Sequence, residues 1–145
     1  MMRRALLGLL LGWRLASPAA AAEGVDPLLA SVASEARETI AVLDWFYVQH
    51  RACPQPTQPA ELAELQSGLG DGFSVDRQGQ FVAIRGISMA DVWFYYASPD
   101  HPDRCTLWRK LGWDPALIWR RRGNSTGWVL DPGDGTAERP LKIAP

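Results

Sequence analysis

Residues 25–50, VDPLLASVASEARETIAVLDWFYVQH, constrain the fold more than any other stretch of the chain. Val25, Leu28, Leu29, Val32, Ala36, Ile40, Leu43 and Tyr47 recur there at three- and four-residue spacing. That spacing puts them on one face of an α-helix and predicts a long amphipathic element. Ser34, Glu35, Arg37, Glu38 and Asp44 fall mostly off that face. Asp26 suits the N-cap and Pro27 the first helical position, where a missing N–H costs nothing. Pro54 marks the latest point at which such a helix can stop.

Beyond it the period changes. CPQPTQPAELAELQSGLGDG holds three prolines, a short helical piece over about 60–66, and then glycines. FSVDRQGQFVAIRG reads as two short strands about a glycine-containing turn, and VWFYYASPDHPDRCTLWRKLG as two longer ones about a proline-rich turn. ALIWRRRGNSTGWVL reads as a further hairpin, and the segment from about 131, DPGDGTAERPLKIAP, as a loop and tail. A helix with an apolar stripe and a one-faced antiparallel sheet must each bury a surface, and burying one on the other satisfies both. The expected fold class is therefore α+β: a long N-terminal amphipathic helix packed on an antiparallel β-meander in two layers.

The first residues address the compartment. MMRRALLGLLLGWRLASPAAAAEG has Arg3 and Arg4 before an apolar run over 5–13, then small residues at signal-peptidase spacing. The pattern predicts a signal peptide over residues 1–22, a single domain over 23–145, and a periplasmic or secreted product. Arg14 ends the apolar run well short of the roughly 20 residues a bilayer span needs, so the mature form is not expected to span a membrane. The whole chain has a formal charge of −1, and loss of Arg3, Arg4 and Arg14 makes the remainder more acidic. That balance gives no pull on nucleic acid.

HRACP (His50–Pro54) and HPDRC (His101–Cys105) contain the only histidines and the only cysteines. Zinc would need four ligands in a tetrahedral set, and neither H-x2-C nor H-x3-C matches the usual spacing. A thiol nucleophile would need a lowered pKa, a base and an orienting group, and no glycine-rich turn surrounds Cys53. An even pair of cysteines in an exported domain predicts a disulfide, Cys53–Cys105. It would tie the end of the long helix to a central strand. No phosphate loop and no G-x-S-x-G occurs, so the sequence supplies no catalytic motif and implies no cofactor. Asp131 and Asp134, in DPGDG, are weak calcium candidates; turn chemistry explains the same residues more economically, and no metal is assigned. Arg120–Arg122 reads as a solvated strand end.

The helix end and proline segment, WFYVQHRACPQPTQPAELAEL, with the aromatic strands WFYYAS and CTLWRKLGWDPALIW, resembles the globular domain of type IV pilins and type II secretion pseudopilins. The resemblance spans most of residues 26–131 and implies a pilin-like two-layer domain. Major pseudopilins carry calcium in a C-terminal loop, which is what the resemblance adds to Asp131 and Asp134. The short apolar run and AAAAEG depart from a pilin's long filament helix, leaving a pilin-like domain without that helix.

In VWFYYA the side chains alternate, so Trp93 and Tyr95 share one face and Val92, Phe94 and Tyr96 the other. In CTLWRKL, Cys105 and Leu107 face one way and Trp108 the other. If the Val92 set packs on the helix, Trp93, Tyr95 and Trp108 form an outer aromatic face, suited to a protein partner or a sugar ring. The alternative is that the tail or the loop with Trp113 covers them. The function expected is a non-catalytic exported domain acting through protein–protein contacts in the bacterial envelope. A carbohydrate-binding module using the aromatic face is the second reading, and a small exported enzyme using His50 or His101 the third.

Overall fold

The computed structural model describes residues 24–144. The expected signal peptide lies outside the described residues. Three helices come first: α1 (Pro27–Glu35), α2 (Arg37–His50) and α3 (Pro59–Leu69). Seven strands follow: β1 (Phe73–Gln78), β2 (Phe81–Gly86), β3 (Trp93–Ala97), β4 (Arg104–Lys110), β5 (Ala116–Arg122), β6 (Ser125–Asp131) and β7 (Arg139–Leu141). They form one antiparallel meander in which spatial order equals chain order. Among the described residues no helix is long and apolar enough to cross a membrane.

This corrects the expected fold class. There is no single long N-terminal helix laid across a sheet; the amphipathic run is two short helices that meet at Ala36, and a seven-stranded sheet dominates the chain. The start is as the sequence implies, with the Asp26 carboxylate accepting the Leu28 N–H at 2.8 Å and Pro27 opening the helix. The break has a local cause. The Ser34 hydroxyl donates to the Ser31 carbonyl at 2.6 Å, and such back-bonding competes with the helical ladder and bends it. It has a tertiary cause as well. Glu35, the last residue of α1, is held by Arg109 of β4 at 2.7 Å and by the Trp93 indole N–H at 3.4 Å. Asp44 of α2 is held separately by Arg121 of β5. Two anchors on different strands fix two helix axes.

α2 ends where Arg51 takes a left-handed conformation, φ 53°, with its N–H on the Tyr47 carbonyl. The β1–β2 and β5–β6 hairpins each have a two-residue loop led by a glycine, Gly79 (φ 65°) and Gly123 (φ 60°). Loops this tight match the twist of the strands only with positive φ, which glycine adopts freely. The segment read as a tail contains β7, whose Pro140 sits opposite Val129. A proline is tolerated there because an edge strand has a side with no ladder bond to donate.

Strand alternation sorts the sheet into two faces. Val82, Tyr95, Leu107, Trp119 and Trp128 lie in register across five strands, and Ile84, Trp93, Arg109 and Leu117 form a second row. All of these except Arg109 share one buried cluster with Val32, Ala33, Ala36, Leu43 and Tyr47 of the helices and with Leu65 of α3. Cys53 and Cys105 join inside that cluster as a disulfide, their Cα atoms 6.1 Å apart. The Cys53 N–H also donates to the Pro102 carbonyl at 2.7 Å, so the segment after α2 is stitched to the β3–β4 hairpin twice, once at its turn and once at β4.

A crosslink separated by 52 residues should stabilise the fold by about 4 kcal/mol in the chain-entropy model. The double variant Cys53→Ala, Cys105→Ala is expected to lower the free energy of urea unfolding by about that amount. A loss under about 1 kcal/mol would show that the helix end is held without the bond.

Candidate functional site

The face of the sheet turned away from the helices carries a cluster of aromatic rings. Its central row is Ala83 of β2, Phe94 of β3, Trp108 of β4, Ile118 of β5 and Val129 of β6, each opposite the next in register. Tyr96 and Phe81 flank that row. The Phe94 and Trp108 rings lie at 29° to each other with centroids 5.7 Å apart. Phe81 meets Trp108 nearly edge-on (82°, 5.3 Å) and Tyr96 at 59° (5.9 Å). Phe81 is 44% exposed, and Phe94, Tyr96 and Trp108 are partly exposed. The rings shield the smaller side chains between them: Ala83 and Ile118 are buried although they point outward.

Trp93 and Tyr95 are not on this face, which corrects their expected place. Both are fully buried against the helices. The Tyr95 hydroxyl donates to the Pro54 carbonyl at 2.7 Å, just past the disulfide. Burial above all, and the Glu61 carboxylate second, push its phenol well above the ordinary value, with Arg121 opposing them; the group stays a proton donor. The Trp93 ring packs edge-on to Trp128 at 6.1 Å. The physical reason is the pairing of β3 with β4. Tyr95 stands opposite Leu107, and Ala97 opposite Cys105; since Cys105 must reach Cys53, Tyr95 and Trp93 must point the same way. Trp108, one residue out of phase with Leu107, lies on the outer face. Trp113 does not cover it: that indole is 92% exposed in the β4–β5 turn.

One end of the outer face is cationic. Arg104 stands directly opposite Arg122, and Thr106 opposite Arg120, so three guanidinium groups border Tyr96 around a small groove of about 140 Å³. Arg120 is clamped by Glu138 from the loop before β7, through two hydrogen bonds of 2.5 and 2.6 Å. Those bonds raise the Arg120 pKa and hold the Glu138 carboxyl below the usual carboxylate range. Among the described residues Arg104 and Arg122 have no ion-pair partner. The expectation of a solvated RRR end fails at Arg121. It is buried on the inner face, bonded to Asp44 and to the Gly123 carbonyl (2.9 Å), with its guanidinium 4.4 Å from the centre of the Tyr47 ring.

The other candidates separate in space. His50 pairs with Glu64 at 2.7 Å and rests against Phe46, while His101 is exposed in the β3–β4 turn. Neither lines the groove beside Tyr96. The Asp131 carboxylate accepts the Gly133 N–H, and that of Asp134 accepts the Thr136 N–H and hydroxyl, which lower the Asp134 pKa. Both are turn acceptors, and among the described residues no group of three acidic, histidine or cysteine side chains is placed to hold a metal. Comparison with family models, with characterised proteins and with solved structures finds no match to the chain.

The two neighbouring tyrosines provide a test of the face assignment. Tyr95→Phe leaves the buried Pro54 carbonyl without its donor and should cost about 1–3 kcal/mol. Tyr96→Phe should fall within about 0.5 kcal/mol of the parent, as partly exposed sites do. Equal losses in denaturant unfolding would contradict the assignment.

Proposed function

We propose that the protein is a non-catalytic exported domain that works through protein–protein contacts in the bacterial envelope, using the outer face of its sheet. The observation that carries the reading is the contiguous cluster of Phe81, Phe94, Tyr96 and Trp108 beside Arg104, Arg120 and Arg122. Tryptophan, tyrosine and arginine dominate the energetics of protein interfaces, where an apolar centre is bordered by polar groups. A soluble domain has no folding reason to gather four large rings on the face turned away from its core.

Export is supported by the leader-like residues 1–22 and by the disulfide, a bond at home in oxidising compartments. The resemblance to pilin and pseudopilin domains contributes only the class of setting, an envelope assembly. The glycan reading is the weaker of the two for this face. A sugar ring stacks best on flat, coplanar platforms; Phe94 and Trp108 lie at 29° to each other, but Phe81 stands at 82° to Trp108 and 59° to Tyr96 and interrupts the platform. Rings packed edge against face make a raised apolar patch, which suits side chains of another protein.

The test is site-specific photocrosslinking in the producing cell. A photoreactive phenylalanine at position 81 or 96 should capture one defined protein, whereas the same group at position 113, equally aromatic and more exposed, should not. Trp108→Ala should reduce capture at least tenfold in protein that keeps the parent's far-UV circular dichroism and a cooperative unfolding transition. Equal capture from position 113, or capture unaffected by Trp108→Ala, would refute the reading. Saturable quenching of tryptophan fluorescence by a cell-wall glycan, lost in Trp108→Ala, would replace it with the carbohydrate one.

A further inference from the structure

On the opposite side of the sheet, the helices leave part of the inner face uncovered. A groove of about 500 Å³ runs between the α1–α2 pair and the β5–β6 hairpin, closed at one side by the segment after β7. That volume lies within the roughly 300–1,000 Å³ typical of small-molecule sites. One wall is made of small and aliphatic residues from both helices, Ala30 and Ala33 of α1 with Ile40 and Ala41 of α2. The facing wall is the indole pair Trp119 and Trp128, directly opposite each other across β5 and β6. The small side chains of the helical wall are what keep the groove open; bulkier ones would fill it.

The charged groups that reach this groove are Arg37, Asp44 and Lys142. Asp44 is engaged by the buried guanidinium of Arg121, so its charge is compensated within the protein. Among the described residues Arg37 and Lys142 have no ion-pair partner. The groove therefore offers a long apolar floor and two free cations, a combination complementary to a flexible hydrocarbon chain ending in an anion. We propose that it binds a single-chain anionic amphiphile, a fatty acid or its equivalent, with the alkyl chain against Trp119 and Trp128 and the head group at Arg37 and Lys142. The site is separate from the outer aromatic face, and its failure would leave the partner-binding reading untouched.

Isothermal titration of the full chain with dodecanoate, well below its micelle threshold, tests the proposal. One molecule should bind per chain. Decanoate should bind roughly tenfold more weakly, the consequence of two methylenes fewer against the apolar floor. Dodecyltrimethylammonium, with the same tail and the opposite charge, should bind at least tenfold more weakly than dodecanoate. The double variant Arg37→Gln, Lys142→Gln should erase that discrimination between head groups. Ala41→Phe, an exposed helical position on the groove wall, should lose both amphiphiles while unfolding like the parent.

Three results would overturn the proposal. The first is no binding of dodecanoate to the protein. The second is equal affinity for the two head groups in the parent protein. The third is undiminished binding in Ala41→Phe.

Discussion

The disulfide between Cys53 and Cys105 sets the phase of the whole sheet. Side chains alternate along a strand, so a single residue obliged to point at the helices dictates the direction of every other one. With Cys105 inward, Leu107 and Arg109 of β4 follow, and Thr106 and Trp108 turn out. Register then carries the choice sideways: Ala97 and Tyr95 of β3 inward, Trp119 and Arg121 of β5 inward, Phe94 and Ile118 outward. The core and the outer face are two consequences of the same constraint. A shift of one residue between β3 and β4 would exchange them, placing Phe94 and Tyr96 against the helices and the fully buried Trp93 and Tyr95 in water.

Polar tethers fix what the crosslink leaves free. Glu35 and Arg109, both largely buried, hold the end of α1, and Asp44 with Arg121 holds α2. A buried guanidinium is tolerated only when charge and hydrogen bonds compensate its lost hydration. Arg121 gets most of this from Asp44, the Gly123 carbonyl and the Tyr47 ring, while its Nε is buried without a partner. The bend at Ala36 serves these contacts, since it brings Glu35 and Asp44 to different strands. The groove beneath α1–α2 is the space those two anchors leave beside β6.

Which parts were legible in the sequence follows from contrast between polar and apolar positions. The N-terminus of α1 was legible because Asp26 and Pro27 announce it, and six of the strands because turn residues bracket them. The break at Ala36 was not, because Ser34 and Ala36 fit a helix and the competing bond and the Arg109 anchor are visible only in three dimensions. β7 was hidden by Pro140 and its brevity. In β4, alternation separates Trp108 from Cys105 and Leu107, and the disulfide turns the cysteine's face inward. In VWFYYA both faces are aromatic, so alternation alone does not say which is inside; an outer place for Trp93 and Tyr95 required the Val92 set to pack on the helix, and it does not. The pairing of Tyr95 with Leu107 is the missing information. Phe81, at the edge of a two-residue turn, carried no signal beyond its exposed bulk.

One face of the sheet is a mixed helix-and-strand core, and the other carries an aromatic patch beside arginines. The direct measurement is hydroxyl-radical footprinting read by mass spectrometry on the oxidised, folded protein. Phe81, Tyr96 and Trp108 should be modified much faster than the fully buried Trp93 and Tyr95, with Trp113 as the exposed reference. Rapid modification of Trp93 and Tyr95 with protection of Tyr96 and Trp108 would reverse the two faces and contradict the account.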